Sequence, residues 1–275
     1  MFKKILSILL INLFFLSSVF ANDNAIDRDR LQNKKHLALM NPFVESFAQK
    51  AIKRTLKKKI GQGKYKVKFQ IYTVSSLKKG IFKTLNIEGK KLAIDEIPVP
   101  KLVLKSITDY NWIDYKADPI LIKSDMVFNY ELELDEESFN QALKHKSYLK
   151  TLERVNQRAY PLFEISNVKV RIMRDLAYIV MDYSLPLAKS KKTRKFVVST
   201  DFKVEDGKIR AKNVAIDKAY GSLSLDKVTN LVNLIDPLSF TLLKLNEKDC
   251  KGRVENVKIE NDIIRINGKI FIKGE

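Results

Sequence analysis

At 275 residues the chain is long enough for one large domain or two small ones, and a 45% hydrophobic content sets it apart from disordered sequences. Lysine and arginine number 51 against 32 acidic residues, a formal net charge of +19, which points toward anionic surfaces and polymers as partners. A lone cysteine, Cys250, excludes an internal disulfide framework, so the fold must rest on its own core.

Residues 1–21 read as a cleavable signal peptide. Lys3 and Lys4 form a positive start, residues 5–16 are apolar apart from Ser7 and Asn12, and Val19-Phe20-Ala21 places small residues where a signal peptidase reads. The apolar run is short of the ~20 residues that cross a bilayer, which favours cleavage over anchoring. With no cysteine after the cleavage region, lipid attachment at a new N-terminus is not expected. The chain is therefore read as exported, periplasmic or in the cell envelope, and soluble after cleavage. Export also changes the meaning of the charge. Nucleic acid is not an expected partner, whereas anionic lipid headgroups and acidic envelope polymers are, each Lys or Arg near such a membrane contributing about 1 kcal/mol.

Residues 22–41 are polar and mixed in charge, a flexible N-terminal arm. Asn41-Pro42 reads as the start of a helix that stops at Gly61. Val44, Ala48, Ile52, Leu56 and Ile60 form an i, i+4 row, widened by Phe47 and Ala51 to more than half the circumference. Lys50, Lys53, Arg54, Lys57 and Lys58 take the other side. So broad an apolar arc predicts a helix embraced by a sheet.

After Gly61 the period becomes two: Tyr65, Val67, Phe69 and Ile71 alternate with Lys66, Lys68, Gln70 and Tyr72, the pattern of a half-buried antiparallel strand. Further strands are expected at 84–88, 91–94, 101–106, 126–134, 168–173, 177–185, 196–204, 208–216, 253–259 and 263–272. Pro98 and Pro100 make 97–99 an edge or a connection. Glu205-Asp206-Gly207-Lys208 is a hairpin turn, and Glu260-Asn261-Asp262 a weaker one. One further helix opens at Asp135 and runs to about residue 152 with Phe139, Ala142 and Leu143 inward, and another spans 224–235. Hairpin-joined strands predominate, so the class is α+β with a large antiparallel sheet, in a single domain over 42–275. The strand–turn–strand segments around residues 168, 204 and 257 echo one another, as a duplicated unit or as ordinary hairpins would.

Chemistry-bearing patterns are sparse. His36 and His145 stand apart from any ligand-like spacing, and Cys250 has no histidine placed as its base. Glu131 and Glu133 project from one strand face without a calcium loop, and there is no glycine-rich phosphate loop or Gly-x-Ser-x-Gly elbow. No catalytic residue, metal or cofactor is assigned, and the reading is non-enzymatic. A carboxylate-dependent hydrolase stays open only in that two acids distant in sequence can converge.

Leu77-Lys78-Lys79-Gly80 followed by Leu85-Asn86-Ile87-Glu88-Gly89 resembles the L-x-x-G-x-x-x-x-L-x-I-x-G signature of the bacterial LmeA-like phospholipid-binding family. The run from Leu132 through Asp135-Glu136-Glu137 to Asn140-Gln141-Ala142-Leu143 is similar to that family's strand, acidic helix cap and N-x-A-L helix. Val257-x-Ile259-x-Asn261-Asp262-x-Ile264-x-Ile266-x-Gly268 resembles its closing hairpin, with Asn-Asp where the family commonly has Asp-Gly. The resemblance implies a large curved antiparallel sheet wrapped around the long N-terminal helix, with two further short helices, in the manner of tubular lipid-binding domains. It also implies binding of a phospholipid, an anionic one given the charge, and peripheral contact with the membrane surface. On that reading Lys53, Arg54, Lys57 and Lys58 meet headgroup phosphate, and Phe43, Phe47, Tyr65, Phe69 and Ile71 line an apolar groove for acyl chains. The alternative is an envelope scaffold or adaptor that holds an acidic polymer or protein partner on the same basic surface.

Overall fold

The structure is a computed structural model that describes residues 34–94, 97–114, 117, 121–160, 163–187, 192–216, 229–230, 232–233 and 250–275. The signal peptide expected at 1–21 and residues 22–33 of the arm expected over 22–41 lie outside the described residues. So does most of the helix expected at 224–235, of which residues 229–230 and 232–233 are described, as helical. Residues 34–41 of the arm are helical, so the helix expected to start at Asn41-Pro42 begins at Lys34 and holds Pro42 inside it.

In chain order the elements are α1 (Lys34–Lys59), β1 (Lys64–Gln70), α2 (Val74–Lys78), β2 (Ile81–Phe82), β3 (Thr84–Ile94), β4 (Ile97–Ser106), β5 (Asn111–Asp114), β6 (Leu121–Ile122) and β7 (Met126–Leu134). They continue with α3 (Glu136–Lys144), α4 (Lys146–Ala159), β8 (Glu164–Met173), β9 (Leu176–Ser184), β10 (Arg194–Glu205), β11 (Lys208–Ile216), β12 (Cys250–Glu260) and β13 (Ile263–Ile272). Three sheets result: a six-stranded one ordered β1-β3-β4-β7-β13-β12, a four-stranded one ordered β11-β10-β9-β8, and a small one of β2, β5 and β6. Each of the larger sheets contains a four-strand meander that follows helical segments: β1-β3-β4-β7 after α1, and β8-β9-β10-β11 after α3 and α4. What repeats in the topology is thus larger than the single hairpins whose sequences resemble one another.

The strands follow the two-residue period. β1 buries Tyr65, Val67 and Phe69 and exposes the Lys and Gln between them, and β13 turns Ile264, Ile266, Ile270 and Ile272 inward. Two-residue hairpins closed by a type I′ turn need positive φ at both turn positions. Asp206-Gly207 (+51°, +72°) and Asn261-Asp262 (+54°, +59°) provide it, and so does an unforeseen pair, Arg174-Asp175 (+52°, +59°). The strands expected at 84–88 and 91–94 are one strand, β3, kinked at Lys91 with φ +53°. There the buried positions change parity, from Leu85 and Ile87 to Leu92 and Ile94. β4 makes the same change, from Ile97 and Val99 to Leu102 and Leu104. The proline-bearing start of β4 pairs with β3 alone, because pairing to β7 begins only at Lys101. The missing N–H groups of Pro98 and Pro100 therefore cost no ladder bonds.

α3 packs against β8 on one side and β4 and β7 on the other, so it joins the two large sheets. Asp135 caps it by accepting from the Ser138 backbone N–H (2.8 Å), with the Ser138 side chain reciprocating. The hairpin between β10 and β11 docks on β12, where the Gly207 carbonyl accepts from the Val254 N–H (3.1 Å). Buried residues of both large sheets and of α1, α3 and α4 form one contiguous hydrophobic cluster.

The expected architecture is corrected in three respects. Strand is divided among three sheets rather than gathered in one large sheet. No sheet is wrapped around the N-terminal helix among the described residues: α1 lies principally against β1, the edge strand, and α2. The cause is the width of its apolar face. Val44, Ala48, Ile52 and Leu56 are buried, but Phe47 faces solvent and Ala51 is half-buried, so the arc is a single stripe that one strand covers. Finally, the helix expected from residue 135 to 152 is two helices. They part at His145, whose backbone is extended (φ −68°, ψ 141°), and the second runs on to Ala159.

Candidate functional site

α1 is fixed to β1 by more than its apolar stripe. Asn41, Glu45 and Gln49 recur at four-residue spacing and so share one side of the helix. The Glu45 carboxylate accepts from the Ile71 N–H (2.9 Å), Gln49 Nε2 donates to the Phe69 carbonyl (3.3 Å), and Asn41 Nδ2 donates to the Tyr72 carbonyl (3.1 Å). These backbone groups lie on edge strand β1, at Phe69, and just past its end, at Ile71 and Tyr72, and α1 both covers and satisfies them. From sequence Asn41 reads as the start of the helix, and Glu45 and Gln49 are given no role. The i, i+4, i+8 spacing of the three beside an apolar row was the available signal.

The opposite side of α1 carries the site. At 100° per residue, Phe43, Phe47, Lys50, Arg54 and Lys57 fall within an arc of about 80° centred away from Ile52. Phe43 is 76% and Phe47 49% exposed, and Lys50, Arg54 and Lys57 are exposed as well. Lys53 and Lys58, also exposed, lie at the two margins of the arc. From Phe43 onward the outward face thus reads apolar for one turn and cationic for the next two, with no acidic side chain interposed from Ser46 to Lys58.

The residues expected to form one groove are separated by the fold. Phe43 and Phe47 stand on the outer surface with the cations. Tyr65, Phe69 and Ile71 face the core, because the strand period turns them inward under α1. Phe69 is fully buried with its ring 5.3 Å from that of Phe82. Tyr65 donates to the Gly61 carbonyl (3.2 Å), and burial pushes its phenol above the ordinary value. These three are packing residues.

The outer face of the six-stranded sheet is ionic. Lys101 bridges Glu131 (2.5 Å) and Glu133 (3.5 Å), and Arg265 bridges Glu133 (3.2 Å) and Glu260 (3.0 Å), a ladder across β4, β7, β13 and β12. Glu131 and Glu133 do share one strand face, and cross-strand cations hold them. The hydrogen bond that Lys101 donates to Glu131 raises the pKa of Lys101. A recess of about 320 Å³ on this face is lined by Lys105, Asn129, Glu131, Glu255, Asn267 and Lys269 together with Val103, Tyr130 and Gly268.

Among the described residues, no three His, Cys, Asp or Glu side chains are grouped so that they could hold a metal ion. No helix among them is long and apolar enough to cross a membrane. His145 terminates α3, half-buried, and Cys250 is buried at the start of β12. The fold and site together define an antiparallel, strand-rich chain with an edge-covering helix whose free face is apolar and cationic. Comparison with family models, curated proteins and solved structures yields no match to this chain.

Proposed function

We propose that the chain is an exported, non-enzymatic phospholipid-binding protein of the bacterial envelope, which engages anionic lipid through the outward face of α1. The observation that carries the reading is the placement of Phe43 and Phe47 in solvent on the same helix face as Lys50, Arg54 and Lys57. Exposed aromatic side chains next to cations fit the boundary between headgroups and acyl chains. There the ring leaves water and the ammonium or guanidinium group meets phosphate. The resemblance of the Leu77–Gly89, Leu132–Leu143 and Val257–Gly268 stretches to the LmeA-like family supports the same reading, as does the signal-like start of the chain. In this proposal lipid meets a surface of α1, with Tyr65, Phe69 and Ile71 serving as the packed base beneath it.

The test is lipid capture. Purified protein is analysed by mass spectrometry for bound phospholipid and floated with vesicles of phosphatidylglycerol and phosphatidylcholine. Each cation near an anionic surface contributes about 1 kcal/mol, so replacing Lys50, Arg54 and Lys57 together by Ser is expected to weaken binding roughly 100-fold. Phe43→Ser with Phe47→Ser should weaken it as well while leaving thermal unfolding unchanged. A chain that purifies free of lipid and ignores anionic vesicles overturns the proposal. Capture of an acidic polymer without vesicle binding would instead establish the scaffold alternative.

A further inference from the structure

A second set of exposed apolar side chains lies at one end of the six-stranded sheet. Tyr72 follows β1, Ile107 and Tyr110 sit in the connection between β4 and β5, and Trp112 is on β5; each is between 39% and 49% exposed. The fold brings them together. The Tyr72 hydroxyl donates to the Asp109 carbonyl, Trp112 Nε1 donates to the Lys79 carbonyl (3.1 Å), and Trp112 pairs with Ile81 across the small sheet. Asn41 of α1 donates to the Tyr72 carbonyl, which puts Phe43 at the same end of the molecule.

Two features separate this tip from incidental surface hydrophobics. The first is that the connection is held rigidly. Asn111 is fully buried, and its amide donates to the carbonyls of Lys83 (2.8 Å) and Thr108 (3.1 Å) while accepting from the Thr108 hydroxyl (2.8 Å). The second is that the polar atoms of Tyr72 and Trp112 are already committed to the protein's own backbone, so their outward parts are hydrocarbon. Lys79 and Lys83, both exposed, and Lys123 carry the backbone groups that hold Trp112 and Asn111. Asp109, also exposed, is the acid within the connection.

We infer that this tip docks the protein on an anionic bilayer, with Ile107, Tyr110 and Trp112 entering the headgroup boundary and Lys79, Lys83 and Lys123 meeting phosphate. Aromatic rings with one polar edge settle at that depth, and the surrounding positive charge complements an anionic leaflet. The inference rests on the lipid reading of α1 and adds to it the orientation in which the protein approaches its lipid source.

Trp112 is the only tryptophan in the chain, so its fluorescence reports the tip alone. The full chain is titrated with vesicles of phosphatidylglycerol and phosphatidylcholine, with and without bromine on the acyl chains. The expected result is a blue-shifted emission quenched by the brominated lipid, and a loss of vesicle affinity of at least ~10-fold in Ile107→Ser with Tyr110→Ser. Both positions are exposed, and an unchanged unfolding midpoint verifies that the variant folds. Vesicles that float the protein without moving or quenching Trp112 emission would overturn the tip while leaving the lipid reading intact. A chain that carries no lipid and floats with no vesicle would remove both. A Trp112 shift that depends on protein concentration without lipid, with a doubled mass in sedimentation, would assign the tip to a second copy of the chain.

Discussion

Replacing Asn111 by Ala deletes one buried side chain that makes three hydrogen bonds, two donated to the Lys83 and Thr108 carbonyls and one accepted from the Thr108 hydroxyl. Each such bond contributes about 1 kcal/mol net, and a buried group left unpaired costs about 1–3 kcal/mol. Removal of the amide is therefore expected to destabilise the fold by about 3 kcal/mol. With a urea m-value of about 3 kcal/mol per molar, the unfolding midpoint falls by about 1 M, read by circular dichroism. Asn111→Asp keeps the shape but turns a second oxygen toward two carbonyls, so it should be at least as damaging. Trp112 emission should also lose its native position in both variants, because the connection that precedes it is no longer pinned. A midpoint for Asn111→Ala within about 0.2 M of the parent would refute the reasoning, as would an Asp variant of parental stability.

Three further outcomes are expected. The Tyr130 hydroxyl is buried with no hydrogen-bond partner among the described residues, and burial with the nearby Glu255 charge pushes its pKa up, so Tyr130→Phe should be neutral or slightly stabilising at pH 7. A phenol whose pKa is raised by folding contributes fully below its unfolded value of about 10 and loses that contribution as pH rises beyond it. The parent should therefore lose stability above about pH 10 more steeply than the Phe variant in pH-dependent urea melts. In Gly268→Ala the added Cβ would sit 2.1 Å from the Arg253 carbonyl oxygen and 2.8 Å from the Tyr130 ring, a backbone clash that rotamer changes cannot relieve. It should cost at least about 2 kcal/mol by thermal or urea unfolding. Glu45→Ala strips the Ile71 N–H of its acceptor and should speed amide exchange at Ile71, whereas Glu45→Gln, which keeps an oxygen in place, should preserve protection.

The strands were legible because side-chain burial in β1, β7 and β13 has a strict period of two that the residue types repeat. The Asp206-Gly207 and Asn261-Asp262 turns were legible because only a few residue types tolerate positive φ at both positions. Lys91 gave no such sign. A lysine at φ +53° is invisible in sequence, so one kinked strand reads as two. The break at His145 was hidden for a similar reason, since neither glycine nor proline marks it. The width of α1's apolar arc was misjudged because an apolar residue type does not say whether its side chain is buried. Phe47 looks like core on a helical projection and stands instead beside Lys50 and Arg54. Of the four cations expected to meet headgroups, Arg54 and Lys57 share that face and Lys53 and Lys58 lie at its margins, while Lys50 reads from sequence only as part of the helix's basic side. The division of the candidate site into a surface part, Phe43 and Phe47, and a packed part, Tyr65, Phe69 and Ile71, needed the position of β1.

The residues that most depart from the core pattern are also those the fold supports most deliberately. Single exposed apolar side chains are ordinary on any protein, and Leu187 or Met173 need no explanation. Ile107, Tyr110 and Trp112 differ because a buried asparagine with three hydrogen bonds holds the segment that presents them. Phe43 and Phe47 differ because α1 is locked in rotation by three polar contacts on its other side. Ordering a buried amide and a helix face costs conformational entropy that loose surface loops avoid. Such ordering is useful where several side chains must meet a partner at once. The bond from Asn41 to Tyr72 couples the two sets at one end of the molecule, within reach of a single extended surface. A bilayer tolerates small differences in height among inserted rings, which a rigid protein partner would not. That tolerance, joined to the surrounding lysines, is why an anionic membrane is the partner proposed for both.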